Sequence, residues 1–196
     1  METITLPHLP DYPLQVCLFT NVSNASFLRQ QLLEGNNEFE YAFLEAAALL
    51  SRTQVLDACF RAINDMLQGR LKCRNVHAEI VFSFSPNNNV GSVDFFVFVL
   101  LLALLTMASS IEIAESFRRF GVGDRTRHIL AIKVGGVAAQ VEEHLLKHVE
   151  GRLAPFTDDE LRNIQDGDRI KKAFKLNEIS PNAEPYVLGS MALKGS

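Results

Sequence analysis

Phe84-Ser85-Pro86-Asn87-Asn88-Asn89 and Ile113-Ala114-Glu115-Ser116-Phe117-Arg118-Arg119-Phe120-Gly121 read as two pieces of one local unit held apart by an unlike stretch. The first piece is a strand end and turn crowded with helix-capping side chains. The second sets Ile113, Phe117 and Phe120 at spacings of four and three, which share one face of a short helix, and Gly121 closes it. Joining Asn89 to Ile113 supplies an Asn N-cap followed by an apolar helical face, a complete unit. Between them Val90 to Glu112 has a centre, Phe95 to Met107, of almost unbroken Phe, Val, Leu and Ala.

Outward from this unit the pattern is mixed. Leu14 to Thr20 alternates as a strand, and Ser23 or Asn24 is placed to cap a helix carrying Phe27, Leu28, Leu32 and Leu33 towards Gly35. Phe39 to Leu50 is apolar with an alanine run, and periodicity does not separate strand from helix there. Ser51-Arg52-Thr53-Gln54 is a capping box opening a helix whose buried stripe is Val55, Cys59, Ala62, Ile63 and Met66. His77 to Phe84, with Ile80, Phe82 and Phe84 on one face, predicts a strand, as does His128 to Val134. Helices are expected over Gln140 to Glu150, after the Thr157 capping box, and from Asp168 to Lys175, with a last apolar segment, Tyr186 to Leu193, docked on the body. Strands separated irregularly by helices predict an α+β fold: one domain over 1–196, a small, mostly antiparallel sheet packed on one side by helices.

With 196 residues and 47% apolar content the chain can bury one sizeable core. A net charge of -4 excludes a surface that is basic throughout, so any nucleic-acid contact must be local. Cys17, Cys59 and Cys73 are widely spaced and read as buried, reduced thiols. The start lacks a basic region followed by an apolar one, so a secretory signal is not expected, and Asn21 and Asn24 are turn and capping residues instead of glycan acceptors.

Ser85-Pro86-Asn87-Asn88-Asn89, Ile113-Ala114-Glu115-Ser116-Phe117 and Phe120-Gly121 together resemble the kinase-associated, PRPK-binding (CGI-121-like) subunit of the EKC/KEOPS complex, in its fungal form. Leu18-Phe19 with Val22, Asn24 and Ala25, Lys72-Cys73-Arg74-Asn75 leading to Glu79, and Ile170 to Leu176 support the resemblance, which covers most of the chain except 90–112. The resemblance implies a regulatory subunit with no catalytic site and no cofactor. Such a subunit binds the small atypical protein kinase, and through it the threonylcarbamoyltransferase subunit, and supports threonylcarbamoyl-adenosine modification of tRNA. It further implies contact with the tRNA 3' CCA end, roles at telomeres and in transcription, and a place in nucleus and cytoplasm. On this reading Asn89, Ile113, Phe117 and Arg118 contact the kinase, and Pro86 and Gly121 fix the turn and the helix end. Lys72 and Arg74, which with Arg70 would share a face in extended chain, contact tRNA phosphates.

Other chemistry is less well supported by the residues. His144 and His148 lie four apart on a helix without a third metal ligand nearby, and read as a solvated face. Asp158, Asp159, Glu160, Asp166 and Asp168 sit at helix starts, where negative charge suits the dipole. Gly121-Val122-Gly123-Asp124 is a turn into a strand, lacking the context of a phosphate loop, and Ser85 has no activating setting. A membrane anchor using Val93 to Ile111, which approaches the shortest spanning length, is the rival reading. It would sit between a core strand and its partner helix and pull apart elements that must pack together, so no membrane is expected.

The stretch 90–112 reads instead as translated intron: it preserves frame, Val codons begin GT and Glu can be encoded GAG. Sequencing of mature message across Asn89 and Ile113 is expected to yield transcripts in which those two codons adjoin. Reads that retain the intervening codons in every case would overturn this.

Overall fold

The computed structural model describes residues 1–86, 112–179 and 183–193. Its strands are β1 (Glu2–Ile4), β2 (Leu14–Thr20), β3 (Ala42–Glu45), β4 (Ile129–Val134) and β5 (Arg152–Ala154). The helices are α1 (Ala25–Leu33), α2 (Arg52–Leu67), α3 (Val76–Ser83), α4 (112–120), α5 (Ala138–His148), α6 (Asp158–Ile164), α7 (Gly167–Phe174) and α8 (Ala183–Ala192). The expected α+β architecture is present. Every strand pairing is antiparallel, in the order β1-β2-β4-β3, and β5 shares the outer edge of β2 with β1.

Helices cover both faces of the sheet, not one. The strands dictate this, because successive residues of β2, β3 and β4 are apolar in both directions. Leu14, Val16 and Leu18, with Ala42, Leu44, Leu130 and Ile132, enter a core shared with α2, α3, α6, α7 and α8. Cys17 and Phe19, with Phe43, Ile129 and Ala131, enter a second core shared with α1 and α5. A strand whose alternate residues are both apolar cannot leave a face in water.

Residues His77 to Phe84, expected as a strand, are helical. Asn75 Oδ1 accepts from Ala78 N at 2.8 Å, the N-cap bond that starts α3. From Val76 to Ser83 only Ala78 is less than buried, so the helix has no polar face to betray its period, and a short run apolar all round cannot be assigned by periodicity. The ambiguous run 39–50 resolves into the short strand β3 flanked by 3₁₀ turns over Asn37–Phe39 and Ala46–Ala48. Asn24 stands at the start of α1 but does not cap it. Its amide donates to His148 O at 2.8 Å and accepts from Glu150 N at 3.0 Å, tying α1 to the end of α5.

The Ser51 cap is as expected, with Oγ accepting from Gln54 N at 3.1 Å, and Thr157 and Asp166 cap α6 and α7 in the same way. The C-terminal segment docks as α8, burying Val187 and Met191 against the larger core. Cys17 and Cys59 are buried, whereas Cys73 is half-buried. No helix among the described residues is long and apolar enough to cross a membrane, and the 93–111 segment lies outside them.

Helix α4 is anchored by its last residue. Phe120 is fully buried, with its ring 5.5 Å from Phe84 and 5.4 Å from Phe174 between centroids. Phe120→Ala is expected to lower the unfolding free energy by about 3–5 kcal/mol, the range for removing a buried aromatic, as read from urea denaturation. A loss under about 1 kcal/mol would show that α4 does not depend on this anchor.

Candidate functional site

A groove of about 710 Å³ opens where α1, β3, α3 and α4 converge. Its floor is apolar: Leu32 and Leu33 from α1, Phe43 from β3, Val81 from α3, Phe117 from α4, and Val122. Leu33 is 72% exposed and carries the apolar lining out to the surface. Among the described residues the rim carries Arg29, Arg74 and Arg118 with the single carboxylate of Asp124.

Local sequence explains each position. The chain from Lys72 to Asn75 bends because the buried Glu79 carboxylate accepts from Lys72 N at 2.9 Å and Cys73 N at 2.7 Å. That bend carries the Arg74 guanidinium to within 2.9 Å of where a Cβ on Gly35 would stand, and Gly35 has φ +68°. A side chain there would be strained and would displace the arginine.

At the other wall Gly121 N donates to Phe117 O at 2.9 Å. A Cβ on Gly121 would lie 2.6 Å from that oxygen, so only glycine allows the chain to leave α4 here. Val122 N then donates to Phe43 O at 3.2 Å, closing the groove against β3. Pro86 follows the end of α3, where Ser85 N donates back to Phe82 O at 3.2 Å.

The charged groups are held unequally. Arg118 donates to Glu115 through Nε at 2.8 Å and through its terminal nitrogen at 2.7 Å, and Arg119 Nε donates to the same carboxylate at 2.7 Å. The Arg118 and Arg119 hydrogen bonds hold the Glu115 carboxyl below its ordinary value. Arg29 pairs with Asp124 at 3.2 Å, both side chains exposed, and such pairs hold their side chains only loosely. Among the described residues no carboxylate lies within ion-pair distance of Arg74.

One groove residue is buried and incompletely satisfied. His77 is 5% exposed, and its Nε2 accepts from Val134 N at 3.0 Å, which places the ring proton on Nδ1. That Nδ1 has no acceptor among the described residues, and an unsatisfied buried donor costs about 1–3 kcal/mol. Burial, with Lys133 nearby, lowers the imidazole to about 3, so it is neutral at pH 7.

The groove gathers Phe117, Arg118, Arg74 and Gly121 of the residues expected from sequence. Ile113 is half-buried on α4 outside the lining, and Asn89 lies outside the described residues. Lys72 is not in the groove: its ammonium stands over the Phe82 ring at 5.7 Å, while Arg70 pairs with Asp65 at 3.0 Å. Arg70, Lys72 and Arg74 therefore do not form one face, because Glu79 bends a segment that their alternation assumed to be extended.

The sequence did not single out Arg29, Tyr41, His77 or Val81 for this site. They lie on α1, on α3 and just before β3, which are joined only by tertiary packing, and reading α3 as a strand hid His77.

Other groups are chemically quiet. His144 and His148 do not form a solvated face. Both pack edge-on to the Phe39 ring, at 5.0 and 5.1 Å, and His144 Nδ1 meets Tyr41 Oη at 3.0 Å. Burial and the neighbouring His148 lower His144, and burial pushes the Cys17 thiol up to about 11.

The sequence profile of a family described as kinase binding protein CGI-121 matches residues 19–93 and 103–195. All groove residues fall within the match, and the gap lies inside the expected insert but is narrower. The chain is 43% identical to an Aspergillus fumigatus protein named EKC/KEOPS complex subunit cgi121, over 100% of this chain and 97% of that one. It is 31% identical to the Schizosaccharomyces pombe protein of the same name, over 97% of this chain and 98% of that one.

His77 makes a pH test of the groove. Its folded value lies below the ordinary 6.5, so between them the unfolded chain binds a proton that the folded chain does not. Stability from this group is complete above pH 6.5 and is lost as pH falls towards 3. Relative to His77→Gln, the unaltered protein is expected to lose stability between pH 6.5 and pH 5 in urea unfolding. A difference that stays flat with pH would contradict the buried neutral imidazole.

Proposed function

The chain belongs to the kinase binding protein CGI-121 family, and from that premise we propose that it is a non-catalytic subunit of an EKC/KEOPS complex, docking the complex's small atypical kinase through the groove beside α4. The observation that carries the reading is the position of Phe117. Its neighbour Phe120 is spent wholly on the core, whereas Phe117 lines an open groove whose walls are Leu32, Leu33, Phe43 and Val81. An aromatic side chain half in and half out of the core, ringed by arginines, is the type of anchor that dominates protein interfaces.

The non-catalytic part of the proposal draws on the state of the reactive side chains. The Cys17 thiol is raised out of the nucleophilic range, and His77 is held neutral with one nitrogen occupied by backbone. Support of threonylcarbamoyl-adenosine formation in tRNA then follows from membership in the complex.

The test is co-purification of the cognate kinase with the full chain and with Phe117→Glu, Arg118→Glu and Phe60→Glu variants. Phe60 is 39% exposed on α2, outside the groove, and its variant is expected to bind normally. Phe117→Glu is expected to weaken binding by about 30-fold or more, as hot-spot residues do. Arg118→Glu, on a side chain 75% exposed, reports the groove without disturbing the core. Kinase retained by both groove variants and lost with Phe60→Glu would move the interface to the other side.

A further inference from the structure

The chain carries a net charge of -4, yet among the described residues three guanidinium groups and one carboxylate edge this groove. Asp124 already faces Arg29, and Glu115 already holds Arg118. The exposed Arg74 guanidinium has no carboxylate at ion-pair distance among the described residues. The groove therefore presents uncompensated positive charge above an apolar floor, and charge of this kind selects its complement in the partner. His77 adds a directional requirement: a buried N–H at Nδ1 that no group among the described residues accepts. A volume of about 710 Å³ holds a few side chains.

We propose that the groove accepts an extended, acidic-apolar peptide segment of the partner kinase. Its apolar side chains lie on Leu33, Val81 and Phe117, its carboxylates meet Arg74 and Arg118, and a peptide carbonyl or carboxylate oxygen accepts from His77 Nδ1. This rests on the docking reading above and deepens it by naming the chemistry of the occupant. A basic or purely apolar segment leaves Arg74 unpaired, and a segment without a free acceptor leaves His77 as it is.

Overlapping fluorescent peptides tiling the cognate kinase, titrated with the full-length chain, test the proposal. The peptides that bind are expected to combine apolar residues with Asp or Glu. Arg74→Glu is expected to weaken them by about tenfold or more, and changing the peptide's acidic residues to Lys is expected to restore binding to that variant. The His77 Nδ1–H resonance is expected to shift and exchange more slowly on binding, a signal that a purely structural histidine would not give.

Peptide binding indifferent to acidic residues overturns the proposal, as does an unmoved His77 resonance. A single-stranded oligonucleotide bound at Arg74 more tightly than any peptide overturns it in favour of nucleic acid. If the intact kinase is retained through Phe117 but none of its peptides binds, the occupant is wrong and the docking reading stands. If neither kinase nor peptide binds, both fail.

Discussion

The buried carboxylate of Glu79 is the constraint on which the groove depends. It sits in the first turn of α3, where the helix dipole favours negative charge, and accepts from two successive backbone N–H groups, of Lys72 and Cys73. A carboxylate removed from water needs such donors. In satisfying it the chain bends before α3, which sets Asn75 to cap the helix and to donate to Glu40 at 2.6 Å. It also turns Arg74 towards Gly35 and starts α3 in the register that brings His77 to the Val134 amide. The groove's wall, its unpaired cation and its buried donor thus descend from one charge.

The two-sided sheet supplies the other wall. β2 and β4 are buried from both directions, so the helices must divide between two faces, and α1 can reach the groove only because it packs on the face opposite α3. β3 is the edge at which the two faces meet the solvent. Residues 121–122 bond to it through Val122 N and a bridge from Gly121 to Leu44, covering part of an edge that would otherwise invite pairing.

Much of this was legible from local pattern. The alternation of Leu14 to Thr20, the Ser51 and Thr157 caps and the stripe from Val55 to Met66 each encode one element by themselves, and each appears in the structure. α3 was not legible, because burial on all sides removes the polar positions that reveal a period. Asn24 shows the opposite failure: a residue suited to capping is recruited by Glu150, distant in sequence. Of the site, Phe117, Arg118 and Gly121 were legible as chemistry and local geometry, and Arg74 as a cation only, because Glu79 bends the segment expected to be extended. Arg29 and Tyr41 enter only through packing that no window of sequence contains. The histidine pair on α5 was misread for the same reason, since Phe39 and Tyr41 cover it from another element.

The groove's polar groups are fixed in charge where most binding sites are tunable. Guanidinium groups stay protonated at any pH a folded protein survives, and His77, lowered to about 3, stays neutral over the physiological range. The carboxylate that lines the groove among the described residues, Asp124, faces Arg29 at 3.2 Å. Exposed charges are nonetheless screened within about 10 Å at moderate ionic strength. Recognition here therefore responds to salt and to the partner's own charge much more than to pH, which is the behaviour of a constitutive docking surface and not of an acid–base centre. The buried N–H of His77 sets orientation, because a hydrogen bond, unlike the rim's Coulomb attraction, fails when its acceptor is misplaced.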